Sequence, residues 1–219
     1  MKLVWSPETA SKAYIDTVKF CELFHESGVA ELISATAAGW NAKLIVETWS
    51  QGGVVPTSIG LSIASRHTGG RHVCIVPDER SRTEYAERMG DAGVLPAPEV
   101  IVGEPEEVMD GLVGIDFLVV DSKRKDFTRV LRQAKLSSGG AVLVCKNANS
   151  RTDSGTFRWR SVLDDGTRRL VRSVFLPVGK GLDIAHVATS GASSSSGRGH
   201  DRWIKHVDQR SGEVHVIRK

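Results

Sequence analysis

The chain has 219 residues, of which 40% are hydrophobic and 25% charged, and a formal net charge of +3. This length and composition are typical of a globular protein with a full core, built as one large α/β domain or one domain with a small appendage. A net positive charge this small does not indicate nucleic-acid binding. No stretch of the sequence approaches the roughly 20 apolar residues that span a bilayer.

Three cysteines, Cys21, Cys74 and Cys145, are far apart in the sequence and lack the spacing of a zinc site. We expect them to be reduced core thiols, as in cytosolic proteins. The first residues lack the apolar segment of a signal peptide. The sequence therefore predicts a cytoplasmic protein that contacts neither membrane nor nucleic acid.

The first predicted element is a helix that begins at Ser6-Pro7-Glu8, where a capping hydroxyl, a proline and an acid stand together. Apolar residues at three-to-four spacing continue this helix towards Gly28, and a second short helix follows. The predicted N-terminal helices cover residues 7–38.

From Lys43 the sequence alternates between short apolar runs and polar segments that favour helices. Runs that are almost continuously apolar are typical of parallel strands buried on both faces. The alternation predicts a doubly wound, Rossmann-like α/β sheet with right-handed crossovers. Five parallel strands are predicted, at 44–49, 72–77, 99–103, 116–121 and 141–146.

The pattern changes after the fifth strand. Apolar runs at 157–163, 169–179 and 181–189 follow without a long helix, and Gly179-Lys180-Gly181 joins the last two tightly enough for a hairpin. The hairpin completes a seven-stranded sheet that is mostly parallel, with an antiparallel pair at one edge. Residues 1–189 are predicted to form this domain. Two further segments are predicted beyond it, a flexible Ser/Gly linker at 190–199 and a terminal β-hairpin at 200–219.

Three segments carry a resemblance to a known family: FLPVGKGLDIA (175–185), GIDFLVVDS (114–122) and SSGGAVLVCKN (137–147). With the order of elements, they resemble class I S-adenosylmethionine (SAM)-dependent methyltransferases, in particular the caffeoyl-CoA and catechol O-methyltransferase branch. More narrowly, the chain looks like a plant family of uncharacterised proteins. The resemblance covers about residues 8–189. It implies SAM as cofactor, a small hydroxylated acceptor and, since the related enzymes often dimerise, a homodimer.

The resemblance also implies a set of cofactor-binding residues. Glu47 matches the acid that opens the glycine turn, and Trp49 stands where such turns have their first glycine. Its indole either fills the cofactor space, or leaves the site intact by pointing toward solvent or stacking on the base. Val76 stands where the family has the acid that binds the ribose, which leaves Asp78 as the substitute. The other implied cofactor contacts are Gly52, Gly53, Ser58, Glu104 and Asp121.

The family's divalent cation site is predicted to be lost. Asp121 matches its first aspartate, but Lys146 stands at a second ligand position, and an ammonium repels a cation that needs anionic oxygens. Asp121 and Lys146 are therefore predicted to form a salt bridge and are the candidate catalytic residues, with no metal. Glu47 and Asp121 are alternatively caps of the turns or helices that follow them.

Two functions remain open on the sequence. The first is metal-independent, SAM-dependent methyl transfer to a small hydroxylated acceptor, in which Lys123 or Lys146 lowers the pKa of the acceptor oxygen. The second is a non-catalytic binding or scaffolding protein with a degenerate SAM site, which Trp49, Val76 and Lys146 favour. A dinucleotide oxidoreductase is excluded because WSQGGVV is not a GxGxxG turn.

Overall fold

The computed structural model describes residues 5–21, 28–95, 97–149, 157–163 and 166–189, and the strand backbone at 203–207 and 214–218. No helix among these residues is long and apolar enough to cross a membrane. The helices are α1 (Pro7–Cys21), α2 (Val29–Gly39), α3 (Pro56–Thr68), α4 (Glu79–Ala92), α5 (Pro105–Val108), α6 (Phe127–Gln133) and α7 (Trp159–Leu163). The strands are β1 (Leu44–Thr48), β2 (Arg71–Val76), β3 (Glu99–Val102), β4 (Val113–Ile115), β5 (Phe117–Asp121), β6 (Lys135–Leu136), β7 (Ala141–Lys146), β8 (Arg168–Leu176), β9 (Leu182–Thr189), β10 (Trp203–Val207) and β11 (Val214–Arg218).

The main sheet has seven strands in the order β3-β2-β1-β5-β7-β9-β8. The first five are parallel, while β9 runs antiparallel to both β7 and β8. The predicted fold class, a Rossmann-like and mostly parallel seven-stranded sheet with an antiparallel edge pair, is confirmed. Strand order reverses between β1 and β5, and in open α/β sheets that point creates a crevice at the carboxyl ends of the strands.

Two hydrophobic cores lie on the two faces of the sheet. Side chains from α1 to α4 pack on one face and those from α6 and α7 on the other. The central strands are buried throughout because both of their faces are covered, which explains their continuous apolar sequence. Because successive residues of a strand alternate between faces, position in the strand decides which core a side chain enters.

The turn between β8 and β9 closes against the start of α2. Gly179 has φ 58°, and a Cβ on it would lie 2.5 Å from Cγ2 of Val29. The turn can approach the helix this closely only because glycine stands there.

The regions after β3 and after β7 differ from the sequence-based prediction in detail. Residues 159–163 form the short helix α7, and β4 and β6 pair as a separate small parallel sheet. Trp159 explains the helix: it packs in the second core and its Nε1 donates to Asp183 in β9. The predicted linker at 190–199 lies outside the described residues. Strands β10 and β11 pair antiparallel within the predicted terminal hairpin.

Candidate functional site

A cavity of about 800 Å³ opens at the carboxyl edge of the sheet, beside the reversal of strand order. Its walls come mainly from five segments: the turn after β1, the end of β5, the end of β7, the β8–β9 turn and the start of α2. Its volume is in the range of small-molecule sites. The lining residues include Val29, Gly52, Gly53, Asp121, Lys123, Arg124, Lys146, Asn147, Gly179 and Lys180.

Asp121 and Lys146 are neighbours in the cavity wall. They are register partners at the ends of β5 and β7, so their side chains leave the same face of the sheet. Asp121 is held by neutral donors: Oδ1 accepts from the backbone N–H of Lys123 at 2.9 Å and Oδ2 from Nδ2 of Asn147 at 2.8 Å. Asp121 does not cap α6, which begins after Asp126.

The predicted salt bridge between Asp121 and Lys146 is wrong. Lys146 is 8% exposed, and no hydrogen bond or ion pair with another described residue engages its ammonium. The chain turns sharply at Asn147, which has φ 58°, and its amide reaches Asp121 instead. Each oxygen of Asp121 accepts one hydrogen bond from a neutral donor and retains capacity for another, and the Lys146 side chain lies in the cavity wall without a hydrogen-bond or ion-pair partner from the described chain.

The other cations of the wall divide into paired and unpaired groups. Arg124 donates two hydrogen bonds to Asp126, at 3.0 and 2.7 Å. This pairing raises the pKa of Arg124 and lowers the pKa of Asp126. Lys123 and Lys180 form no ion pair with any described residue. Apart from Asp121, no carboxylate among the described residues lines the cavity.

Glu47 lies in the core and not in the cavity wall. Its side chain is 1% exposed, and Oε1 accepts from Tyr85 Oη at 2.9 Å and from His72 Nε2 at 3.1 Å. Burial by itself raises the pKa of Glu47. The hydrogen bond and charge of His72, together with the charge of Lys146, lower the pKa by more than burial raises it, so the net shift is downward. Glu47 is thus a buried anion within reach of the field of Lys146, and it caps neither the glycine turn nor α3.

His72 connects this carboxylate to a serine. Its Nδ1 lies 2.9 Å from Ser62 Oγ, so serine, histidine and glutamate form a hydrogen-bonded row. Because Ser62 is completely buried, no substrate reaches its hydroxyl, and the row is structural.

Trp49 does not face the cavity. The indole is 2% exposed, stands edge-on to Tyr85 with ring centroids 5.3 Å apart, and donates from Nε1 to the carbonyl of Val54 at 3.3 Å. None of the sequence-based alternatives, filling the cofactor space, pointing toward solvent or stacking on the base, describes this position. A Cβ on Gly53 would lie 2.7 Å from the indole nitrogen, so Trp49 supports the glycine turn from beneath.

The glycine turn is tied to α4 on the side away from the cavity. The N–H of Gly52 donates to Glu84 at 3.3 Å, and the carbonyl of Gly53 accepts from Arg88 at 3.0 Å. Asp78 caps the same helix through the N–H of Ser81 at 2.7 Å. Ser58 is buried in α3, and its hydroxyl has no partner in the described chain. Of these residues only the two glycines line the cavity.

Glu104 belongs to an acidic group outside the cavity. Its carboxylate lies with those of Glu106 and Asp126, with ligand atoms within 4.8 Å of one another. Arg129 pairs with Glu106 at 3.0 Å and Arg124 with Asp126, so two of the three charges are balanced. The three acids expected to converge on one crevice, Glu47, Glu104 and Asp121, therefore separate, and only Asp121 reaches it.

The whole chain, residues 1–219, matches the family model described as "Protein of unknown function (DUF1442)". The chain belongs to this family. A comparison with curated proteins finds no match.

Solved structures similar to this family member include O-methyltransferases. The O-methyltransferase TomG from Streptomyces achromogenes, in complex with SAM, is 25% identical with a TM-score of 0.55 over 85% of this chain and 92% of that one. A methyltransferase from Geobacter sulfurreducens is 22% identical with a TM-score of 0.58 over 80% and 88%. An O-methyltransferase from Bacillus cereus in complex with SAH is 16% identical with a TM-score of 0.57 over 85% and 93%. The fold is that of the class I methyltransferases.

Sequence reasoning missed several residues that shape the site. Tyr85 and His72 hold Glu47, and Asn147 holds Asp121. Tyr85 was hidden because it lies in a polar helix, 38 residues from the acid that it meets. Lys180 had a signal, since it stands inside the GKG turn next to a predicted strand end.

Proposed function

We propose that this protein is a SAM-dependent methyltransferase that acts on a small hydroxylated acceptor without a metal ion. One observation carries the proposal: the cavity at the reversal of strand order is lined by the glycine turn and by Asp121. The SAM complex of TomG, which shares the fold, supports SAM as the cofactor.

The residues of the cavity wall fit SAM at the end that carries its amino group. The wall offers the open backbone surface of Gly52 and Gly53, although the N–H of Gly52 is bonded to Glu84 and that of Gly53 to the carbonyl of Ser50. It also offers a fixed carboxylate at Asp121 for a cationic amino group. At the ribose end, Val76 cannot accept hydrogen bonds, and Oδ1 of Asp78 already caps α4. We therefore expect binding through the glycine turn and Asp121, with an affinity lowered by the missing ribose acceptor.

The absence of a metal requirement rests on Lys146. A divalent cation prefers several anionic oxygens, and here an ammonium stands beside the single carboxylate of the wall. The same ammonium favours the deprotonated form of an acceptor hydroxyl placed next to it. SAM, when bound, supplies an electrophilic methyl group. The chain's own contribution is to orient the acceptor and to stabilise its oxyanion.

Calorimetric titration of the full chain with SAM and with SAH tests the proposal. Both ligands should bind and raise the melting temperature, because a ligand that binds only the native state stabilises it. Asp121→Asn should weaken SAM binding at least about fivefold, since it removes the charge facing the amino group. Asp91→Asn, an exposed position on α4, is the matched control and should change nothing. No heat and no shift at millimolar SAM or SAH would overturn the proposal.

A second candidate, a non-catalytic protein that uses the same cavity to bind a ligand, is favoured by Val76 and by the attachment of the glycine turn to α4. It predicts that the wild-type chain ignores SAM but still binds small anions in the cavity.

A further inference from the structure

We propose that the cavity binds an oxyanion, the carboxylate or phosphate group of a small molecule, and that Lys146 is its main partner. This inference deepens the proposed function by giving the acceptor a charge. The acceptor role rests on that function, whereas the binding of the anion does not.

The inference depends mainly on the buried ammonium of Lys146. Its side chain is more than nine-tenths buried, it lines the cavity, and no described residue pairs with it. Burying an ammonium without a counter-charge is unfavourable, and such groups are normally paired or bind a ligand. The cavity beside Lys146 gives an anion access to an ammonium that interacts with Glu47 only through its field and that no described carboxylate contacts as an ion pair.

The two carboxylates nearest in the fold do not take this role. Asp121 is the register partner of Lys146, but neutral donors occupy both of its oxygens. Glu47 feels the charge of Lys146, which contributes to its lowered pKa, but it forms its hydrogen bonds with His72 and Tyr85 and makes no ion pair with Lys146. A third oxyanion, supplied from the cavity, completes the arrangement.

The other charged residues of the cavity wall also favour a negatively charged ligand. Lys123 and Lys180 approach from two different turns, and neither pairs with a described residue. Arg124 contributes less, because Asp126 balances it. The described part of the cavity wall therefore carries three lysines and one carboxylate. A concave wall concentrates the resulting positive electrostatic field on a small anion.

An anionic acceptor also suits the proposed chemistry. The lysines would hold its carboxylate or phosphate, and a separate hydroxyl of the same molecule would receive the methyl group. The negative charge would face the positive sulfonium of SAM, so the two ligands would favour each other's binding in the cavity.

Isothermal titration with inorganic phosphate and with citrate, each at fixed ionic strength set by sodium chloride, tests the inference in the absence of SAM. The wild-type chain should bind at least one of the two saturably. Lys146→Met, which keeps an unbranched side chain one atom shorter and removes the charge, should weaken that binding at least about tenfold. Lys125→Met removes the same charge from an exposed position outside the cavity wall and should leave binding within about twofold.

The outcomes separate the two proposals. Binding of phosphate alone, or of citrate alone, supports the inference and identifies which oxyanion chemistry the site selects. Equal losses in the two variants would show a diffuse surface effect and overturn it, as would the absence of saturation with both anions. A normal circular dichroism spectrum and melting curve for Lys146→Met establish that the loss is local. SAM binding without anion binding would overturn only this inference, and anion binding without SAM binding would overturn only the transferase.

Discussion

At the scale of single residues, Glu47 stays charged in the core because its neighbours compensate for the loss of water. Tyr85 and His72 both donate to Oε1, and the positive charge of Lys146 adds to them. Since the folded pKa lies below the ordinary value of 4.5, the carboxylate stabilises the fold above that pH. This stabilisation is lost as the pH falls through the lower, folded pKa.

Tyr85→Phe should destabilise the domain by about 1.5–3 kcal/mol, because the variant keeps the ring and removes a hydrogen bond to a buried charge. Thermal unfolding should show a melting temperature lower by several degrees. Tyr14→Phe is the matched control, since Tyr14 is 46% exposed on α1. Equal shifts in the two variants would mean that the bond to Glu47 contributes nothing.

The acids at strand ends were recognisable from the sequence, but the directions in which their side chains point were not. Asp121 and Glu47 both follow apolar runs, yet the first lies in the cavity wall and the second in the core. The difference depends on Asn147 and Tyr85, which come from distant parts of the sequence. The separation of Asp121 from Lys146 likewise follows from the turn at Asn147, which no local sequence rule specifies.

At the scale of elements, the central strands were the most predictable part of the fold. β5 and β7 are buried on both faces, so their apolar runs have few alternative conformations. The helix α7 and the strands β4 and β6 were not predicted, because elements of two to five residues carry no complete period. Tertiary packing, such as that of Trp159, determines them.

The β8–β9 turn should control the cavity, because it packs on α2. Gly179→Ala should cost about 1–2 kcal/mol for the left-handed backbone, and the new Cβ should also push the turn away from Val29. We expect lower stability together with weaker phosphate or citrate binding. Calorimetry of both properties measures the effect.

Gly69→Ala is the control for that variant. Gly69 has φ 61°, close to that of Gly179, but a Cβ there meets nothing within 4 Å. It should lose similar stability and keep anion binding. Val29→Ala combined with Gly179→Ala removes the clashing Cγ2 and should restore part of the binding. If Gly179→Ala leaves binding unchanged, the turn does not shape the cavity.

At the scale of the whole molecule, the domain and the terminal hairpin form separate sheets. The seven-stranded sheet ends at Thr189, and β10 and β11 pair only with each other in the described strands. Among the residues whose side chains are described, all members of both cores lie before residue 190. The division into a domain and a separate hairpin stays a prediction from composition, since SGASSSSGRG at 190–199 has almost no apolar residues to bury.

A chain ending at residue 189 should therefore fold and bind as the full chain does. Its melting temperature should differ by less than about 2 °C, because a change of 1 kcal/mol shifts a domain of this size by about 2–4 °C. Phosphate, citrate and SAM titrations should match those of the full chain, since every described lining residue of the cavity lies before residue 190. If the hairpin at 200–219 serves a protein partner, pull-down from a lysate should lose that partner while the melting curve stays unchanged. A large drop in the melting temperature would instead show that the hairpin packs on the domain, and the division into two independent units would be wrong.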